Sequence, residues 1–203
     1  MNYCSACGAR VVRKVPPGDN LERFCCPECH AIHYQNPKII AGTLTTQGNE
    51  VLLCKRSIEP RKGFWTLPAG FMENSETLDE AARRETLEET GARIRTHQIY
   101  SLFSLPHINQ VYIFLKADLI ECDFTPKAES EEVRLYRPED IPWDALAFPT
   151  VQRTLKYFVQ DLAAGNMPAD TRVESVLWSR NQSPSVRFIK GFNADRNSFA
   201  DEL

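Results

Sequence analysis

The sequence predicts an α+β protein preceded by a small metal-stabilised segment. Four of the seven cysteines fall in two close pairs within the first 36 residues. Beyond them, apolar strand-like runs alternate with two segments that carry helical signals. The composition, 42% hydrophobic and 25% charged residues, is that of a globular chain and not of a disordered or fibrous one. At 203 residues the chain is long enough to bury a sizeable core and lies between one and two domains by length.

Charge and apolar runs exclude several function classes. A net charge of -3 disfavours a broad nucleic-acid-binding surface. No run approaches the roughly 18 apolar residues that a membrane span needs, so no membrane association is expected. The start, Met1 to Cys4, lacks the pattern of a signal peptide, and an odd number of cysteines argues against a disulfide framework. These features predict a cytoplasmic protein with reduced cysteines.

The paired cysteines predict a zinc site. Cys4, Cys7, Cys26 and Cys29 form two Cys-x-x-Cys pairs whose separation of 18 residues falls in the range of about 15 to 20 typical of zinc sites. Two such turns direct four thiolates at one ion, and a closed set of four protein ligands is typical of structural Zn²⁺. Residues 1–36 are therefore expected to form a zinc ribbon whose folding depends on metal. A redox cysteine cluster is the alternative, and other candidate ligands are Cys25, His30 and His33.

The chain after Asn36-Pro37 reads as strands and turns. Runs 39–46 and 50–56 predict a hairpin around the turn 47–49, with Cys54 in the core. A loop is predicted over 57–69, with Phe64 and Trp65 exposed. Further strands are predicted at 99–105, 111–119 and 133–136.

Two helices are predicted from their end signals. Thr77 and Glu80 form a capping box that starts a helix running to Thr90, and Gly91 is its expected left-handed stop. Pro149 starts the second helix, which ends before Gly165. Its apolar face consists of Val151, Leu155, Phe158 and Leu162. Residues 165–203 are polar, and the sequence leaves their role open.

Acidic residues are concentrated between residues 70 and 92, where seven carboxylates face only two arginines. Glu85, Glu88 and Glu89 stand at i, i+3 and i+4 and so share one helix face. Each like-charge pair costs about 3 kcal/mol at ~5 Å in an effective dielectric near 20, and the helix dipole disfavours anions in these last turns. A divalent cation, Mg²⁺ first and Mn²⁺ second, fits this excess charge and points to phosphate chemistry. A solvated acidic face is the alternative.

Segment 70–92 resembles the signature of the Nudix hydrolases, Gx5Ex7REUxEExGU. All seven fixed positions match with the same spacing, at Gly70, Glu76, Arg84, Glu85, Glu88, Glu89 and Gly91. Two packing positions depart from it. Thr86 stands where a bulky aliphatic or aromatic residue is expected, and Ala92 stands at the last such position. These departures are expected to weaken the core and not the chemistry.

The resemblance covers most of 37–164 and implies the Nudix α/β/α sandwich with a mixed sheet. Residues 165–203 lie beyond the resemblance as a C-terminal extension. Nudix enzymes with an N-terminal zinc ribbon include NADH pyrophosphatases and plant-type FAD pyrophosphatases. The SQPWPFPxS motif of the NADH group is absent at 101–109. Segments 34–38, 52–56, 129–135 and 146–148 resemble the FAD group. This likeness implies FAD, cleaved to AMP and FMN, as the best expected substrate.

The family's chemistry is metal-dependent hydrolysis of a nucleoside diphosphate linked to another moiety. By position, the resemblance implies Glu85, Glu88, Glu89 and the carbonyl of Ala69 as ligands of Mg²⁺ or Mn²⁺. Arg84 would orient the carboxylates.

The general base and the ring contacts are less closely fixed. The general base lies either within the signature segment 70–92, with Glu88 and Glu89 in catalytic roles, or on a later loop. On that loop Glu132 is the first candidate and Glu129 the second. Glu76 is expected to support the loop and the helix. Phe64 and Trp65 would stack on an adenine or flavin ring, unless they belong to the core.

Other functions stay open at this stage. They are an ADP-ribose or NADH pyrophosphatase, a nucleotide-sanitising triphosphatase, and a nucleotide-sensing binding protein. The expected partner is a small nucleotide substrate, and the family resemblance also implies a homodimer.

Overall fold

The computed structural model describes residues 1–121, 123–125, 127–165, 171–177 and 185–189. The chain divides into two compact units, Met1–Pro37 and Lys38–Leu203. Cys122, Trp178, Phe192 and Phe199 lie outside the described residues. Within the described part of the chain, no helix has the length and apolar character needed to cross a membrane.

The first unit is a small antiparallel sheet that carries two cysteine turns. Strands β1 (Val12–Lys14), β2 (Arg23–Cys25) and β3 (Ile32–His33) pair in that order. Each cysteine turn reverses directly after its second cysteine, where Gly8 has a φ of 76° and His30 a φ of 61°. Glycine adopts this left-handed conformation at no steric cost, which explains its place after Cys7.

The second unit is built on one mixed sheet, to which nine of the described strands belong. The strands are β4 (Lys38–Gln47), β5 (Glu50–Arg56), β6 (Trp65–Thr66), β7 (Ala69–Phe71), β8 (Arg93–Leu105), β9 (Gln110–Glu121), β10 (Ser130–Tyr136), β11 (Arg172–Leu177) and β12 (Ser185–Ile189). Their order is β10-β5-β4-β9-β8-β11-β12, with β6 beside β5 and β7 beside β4. The β4–β9 and β8–β11 pairs are parallel and the others antiparallel, so the expected mixed sheet is confirmed.

Two helices cover opposite faces of this sheet. Side chains alternate between the two faces along each strand, so the strand residues that a helix contacts identify the face it covers. The helices are α1 (Leu78–Thr90) and α2 (Pro149–Ala164). On one face, Ala81 and Ala82 of α1 pack with Ala41 of β4. On the other, Leu155 of α2 packs in the main core with Leu44. The α/β/α sandwich is therefore confirmed.

The local helix signals act as the sequence indicates. The Thr77 hydroxyl accepts a hydrogen bond from the Glu80 N–H at 3.2 Å, and the Glu80 carboxylate accepts one from the Thr77 N–H at 2.7 Å. Gly91 ends α1 at a φ of 70°, and Gly165 ends α2 at a φ of 69°. Such a capping box is worth about 1 kcal/mol and fixes where α1 begins.

The structure corrects three strand predictions. Segment 57–69 is not a continuous loop, because β6 and the start of β7 lie within it. Strand β8 begins at Arg93 and not at residue 99, and its pairing with β9 shifts register between Thr96 and Ile99. Such irregular pairing breaks the two-residue alternation that sequence patterns detect. The third correction is β10, which begins at Ser130 and not at Val133.

The C-terminal extension supplies two strands to the sheet. Strand β11 runs parallel to β8, and β12 pairs with β11. Two ion pairs attach β11 to α2. Glu174, only 1% exposed, pairs with Arg153, and Arg172 pairs with the buried Asp161. The Tyr100 hydroxyl also donates to Asp161. Buried charges require such partners. Because these partners lie on another element, the polar sequence of this extension did not indicate two strands.

Candidate functional site

The backbone of β7 touches the carboxylate of Glu85 at Gly70. A Cβ atom at Gly70 would lie 2.1 Å from Glu85 Oε2, so any other residue there would displace the Glu85 carboxylate. A second close approach holds β7 against β4, since a Cβ at Gly42 would lie 2.5 Å from Cβ of its pairing partner Ala69. The two glycines, Gly42 and Gly70, therefore allow β7 to lie close to both β4 and α1.

Glu89 is a buried carboxylate held by a backbone N–H. It is only 6% exposed, and its Oε2 accepts a hydrogen bond from the Ala69 N–H at 3.0 Å. The Cys54 thiol donates to the same oxygen at 3.7 Å. Burial raises the pKa of Glu89, the Ala69 N–H lowers it and the charge of Glu85 raises it, which together bring it to about 8. Glu89 therefore holds a proton at neutral pH, which a bound cation would displace.

Arg84 joins three carboxylates of the same segment. Its guanidinium donates to both oxygens of Glu76, at 3.1 and 2.7 Å. It also donates to Glu85 Oε1 at 2.7 Å and to Glu88 Oε2 at 3.3 Å. The pairing with Arg84 lowers the pKa of Glu76 and keeps that carboxylate charged. A planar guanidinium suits this forked arrangement, which a lysine ammonium cannot reproduce.

The carboxylates outnumber the guanidinium that faces them. Burial raises the pKa of the half-buried Glu85, and the charges of Glu88 and Glu129 act in the same direction against Arg84. The helix face thus presents hard oxygen donors with excess negative charge. This donor set fits Mg²⁺ or Mn²⁺, the cations that the sequence suggested. The Ala69 N–H bond to Glu89 also brings the backbone of residue 69 to this cluster.

The two candidate bases lie in different surroundings. Glu132 forms an ion pair with Arg134 at 2.5 Å and lies opposite Lys55 across the β5–β10 pair. Glu129 is exposed, and its charge contributes to the raised pKa of both Glu85 and Glu89. Its carbonyl accepts from the Ser57 N–H at 3.0 Å, which anchors the loop at the end of β5. Of the two candidates, Glu129 is the one whose charge contributes to the raised pKa values of Glu85 and Glu89.

Arg56, at the end of β5, belongs to none of the motifs that predict a site from the sequence. Burial raises the pKa of both Glu89 and Tyr112, and the charge of Arg56 opposes this rise in each. Its Nε donates to the Pro60 carbonyl at 2.8 Å, and its guanidinium lies 5.2 Å from the ring centroid of Phe148. Within the described part of the chain, no carboxylate forms a salt bridge with it. A half-buried arginine near a carboxylate cluster can bind an anion. In the sequence, the only indication of such a role for Arg56 is its position at the end of a strand.

The predicted ring-binding pair is divided by the structure. Trp65 is not exposed, as the loop assignment indicated, but only 7% accessible. Its ring meets Tyr136 edge-on at 5.0 Å in the main core. Phe64 is half-buried, with the Arg61 guanidinium 5.4 Å from its ring centroid. Trp65 belongs to the core because it lies on β6, which pairs with β5.

Four cysteine sulfurs converge in the first unit. The Sγ atoms of Cys4, Cys7, Cys26 and Cys29 lie within 4.8 Å of one another. The Cys7–Cys26 distance is 3.4 Å and the Cys4–Cys29 distance is 3.6 Å. Sulfurs at the corners of a tetrahedron with bonds of about 2.3 Å to zinc would be roughly 3.8 Å apart. The donor set and its spacing therefore fit Zn²⁺.

The alternative ligands lie outside this cluster. His33 Nε2 is 3.2 Å from Cys4 Sγ and hydrogen-bonds to the sulfur. Such a contact orients a ligand without replacing it. Cys25 is buried, with its Sγ near the carbonyls of Arg23 and Lys14, and His30 is exposed.

Two family models match the two parts of the chain. The NUDIX domain model matches residues 36–161, and the Nudix N-terminal zinc ribbon model matches residues 2–35. A crystal structure of a NUDIX hydrolase from Nitrosomonas europaea is 48% identical and superposes with a TM-score of 0.81. It covers 86% of this chain and 99% of that one.

Curated relatives carry pyrophosphatase and hydrolase names. An ADP-ribose pyrophosphatase of Methanocaldococcus jannaschii is 29% identical over 141 residues, which is 66% of this chain and 78% of that protein. A NAD-capped RNA hydrolase NudC of Stutzerimonas stutzeri is 26% identical over 159 residues, 78% of this chain and 54% of that protein. The chain thus spans about half the length of this second relative.

Proposed function

Because this chain belongs to the Nudix hydrolase family and carries that family's N-terminal zinc ribbon, we propose that it is a metal-dependent pyrophosphohydrolase. Its substrate would be a nucleoside diphosphate linked to another moiety. One observation carries the proposal. The buried Glu89 is fixed at the Ala69 N–H beside Glu85, on a helix face whose negative charge exceeds that of its arginine partner.

The divalent ion would be held by Glu85, Glu88 and Glu89, with the Ala69 carbonyl as a further ligand. When bound, Mg²⁺ or Mn²⁺ supplies neutralisation of phosphoryl charge and activation of a water. Arg84 keeps the carboxylates oriented through its forked hydrogen bonds. Arg56 is proposed to bind a phosphate oxygen of the substrate. Its charge acts on Glu89, and no carboxylate among the described residues forms a salt bridge with it, which supports this role.

We propose Glu129 before Glu132 as the residue that takes the proton from the attacking water. The effect of Glu129 on the pKa values of Glu85 and Glu89 supports this order. Comparing Glu129→Gln with Glu132→Gln tests it. Loss of about 10²-fold or more in kcat is expected for Glu129→Gln only, as for removal of a general base. The reverse result would make Glu132 the general base, and full activity of both variants would place the base within the signature segment 70–92.

The zinc ribbon is proposed to bind one structural Zn²⁺ through its four cysteines. The four Sγ atoms lie within 4.8 Å of one another, and the zinc ribbon family model matches this segment; both support the proposal. A homodimer is also proposed, from the family alone. Sedimentation velocity would give a dimer mass if it is right and a single-chain mass if it is wrong.

Two substrate groups remain as finer proposals. ADP-ribose is favoured by the likeness to the ADP-ribose pyrophosphatase, and NADH by the likeness to the NAD-capped RNA hydrolase, whose name includes a nicotinamide dinucleotide. FAD is favoured only by the sequence segments that resemble the FAD-cleaving group. Phe64 is retained as a ring contact, whereas the burial of Trp65 argues against a role for its ring.

A substrate panel tests the proposed function. Equal concentrations of ADP-ribose, NADH, FAD and a nucleoside triphosphate are incubated with Mg²⁺, and products are separated by chromatography. A nucleoside monophosphate from a linked diphosphate is expected. Preference for FAD would select the flavin proposal, and preference for ADP-ribose or NADH would exclude it. Tight nucleotide binding without turnover would favour a nucleotide sensor.

A further inference from the structure

Thr86 stands in α1 where the Nudix signature has a bulky side chain, and it is fully buried. Its hydroxyl donates to the Ala82 carbonyl at 2.7 Å and lies 2.8 Å from the Thr43 hydroxyl on β4. The Thr43 hydroxyl lies in turn 2.9 Å from that of Thr45. A buried side chain at this position thus makes polar contacts where apolar packing is expected.

The directions of these hydrogen bonds follow from counting protons. Each hydroxyl has one proton to donate and can accept further bonds. Because Thr86 donates to Ala82, it must accept from Thr43, and Thr43 must then accept from Thr45. The chain Thr45→Thr43→Thr86→Ala82 gives each hydroxyl proton an acceptor, which buried polar groups require. The network therefore has one direction and one geometry.

The helix approaches β4 closely at this point. Ala41, Thr43 and Thr45 occupy alternate positions of β4 and so share one face of the strand. Ala41 packs with Ala81 and Ala82 of α1, and all three are fully buried. Contacts between alanines do not fix how far a helix lies along a strand, whereas directional hydrogen bonds do.

Thr43 links both elements that form the carboxylate cluster. Its hydroxyl bonds to Thr86, which is adjacent to Glu85 and one turn before Glu89. Its N–H donates to the Pro68 carbonyl at 3.1 Å, next to the Ala69 that binds Glu89. One residue thus ties α1 and the β6–β7 segment to the same point of β4. A slip of the helix by one residue, about 1.5 Å, would break the Ala69–Glu89 bond.

We propose that Thr86 and Thr43 are positioning residues. Their hydroxyls set the position of α1 along β4, and thereby hold Glu85 and Glu89 in the arrangement that binds a divalent cation. This inference rests on the proposed function, because it assumes that these carboxylates bind a metal. It predicts that the Thr86 hydroxyl governs metal affinity separately from stability.

The test compares two substitutions with opposite losses. Thr86→Val keeps the branched shape and removes the hydroxyl, whereas Thr86→Ser keeps the hydroxyl and removes the methyl group. Mn²⁺ affinity is measured directly, from the electron paramagnetic resonance signal of free Mn²⁺, without substrate. Thermal unfolding is followed for each variant.

Thr154 on α2 provides a matched control. It is fully buried, donates to the carbonyl four residues before it at 2.9 Å, and bonds to the Ser101 hydroxyl on a strand at 3.0 Å. It belongs to the helix on the opposite face of the sheet from α1. Thr154→Val should lower the unfolding temperature and leave Mn²⁺ affinity unchanged.

The expected result is a rise of about tenfold in the Mn²⁺ dissociation constant for Thr86→Val, at the lower end of the effects of outer-shell partners. Thr86→Ser should stay within about twofold of wild type, despite any loss of stability. Wild-type affinity in Thr86→Val, equal weakening in Thr86→Ser, or equal weakening in Thr154→Val would each overturn the positioning role. If wild type binds no Mn²⁺, the metal site itself is refuted and the positioning role with it.

Discussion

Replacing Glu89 by glutamine separates the proton on this side chain from its function. Glutamine keeps the length and an oxygen that can accept the Ala69 N–H, now 3.0 Å from Oε2. It resembles the protonated carboxyl that burial favours in the metal-free protein. We therefore expect Glu89→Gln to fold, while it loses the charge that a cation needs.

The effect on stability has a defined sign. The pKa of Glu89 is about 8 in the folded chain against an ordinary 4.5, so the folded state binds this proton more tightly than the unfolded state. Its contribution is fully present below pH 4.5 and is lost as the pH rises through about 8. The whole difference corresponds to at most roughly 5 kcal/mol. Metal-free wild type should therefore lose stability between pH 5 and 9, relative to Glu89→Gln.

Urea unfolding in the presence of a chelator measures this difference. The two proteins should have similar unfolding free energies near pH 5, and the variant should be the more stable near pH 9. Equal stability of the two proteins at both pH values would show that Glu89 is not the buried, protonated group described above.

The effect on catalysis runs the other way. Nucleotide hydrolysis with Mg²⁺ should fall by about 10²- to 10⁴-fold, because a neutral amide replaces a charged metal ligand. Glu139→Gln, an exposed substitution outside the cluster, is the matched control and should retain full activity. Activity of Glu89→Gln within a few-fold of wild type would refute its role.

Three further predictions concern other contacts. Arg84→Lys cannot reproduce the fork to Glu76 and Glu85, so activity should fall about 10- to 100-fold with a higher Mn²⁺ requirement; unchanged kinetics over a metal titration would contradict this. Wild type purified without chelator should contain one zinc per chain by elemental analysis and Cys26→Ser much less, with faster hydrogen exchange over residues 1–37; zinc-free wild type would contradict the structural site. Glu174→Gln removes the charge that pairs with Arg153, which is itself 29% exposed, and should cost about 2 kcal/mol in chemical denaturation; no loss would show that this ion pair does not secure β11.

The parts of the fold that sequence predicted are those with local causes. Thr77, Glu80 and Gly91 determine the ends of α1 through bonds within a few residues. The cysteine spacing likewise brings Cys4, Cys7, Cys26 and Cys29 together through two short turns. Because such signals lie within one turn or one motif, a single sequence contains them in full.

The missed features depend on partners distant in sequence. Trp65 looks like a loop residue until β6 pairs with β5. Glu174 reads as a surface charge until Arg153, on another element, pairs with it. The proton on Glu89 likewise depends on its burial in the folded chain, and Arg56 gains meaning only beside the cluster. These effects come from tertiary contacts, which periodicity does not encode.

Metal-dependent hydrolysis is measured most directly as product release from ADP-ribose by the purified chain, with Mg²⁺ and with excess chelator. We expect AMP to accumulate with Mg²⁺, its release to stop when the chelator is added, and its release to resume when Mg²⁺ or Mn²⁺ is restored. AMP release at the same rate in chelator would contradict a metal-dependent hydrolysis at Glu85, Glu88 and Glu89. A chain that releases no monophosphate from ADP-ribose, NADH or FAD with either metal would contradict the proposed activity itself.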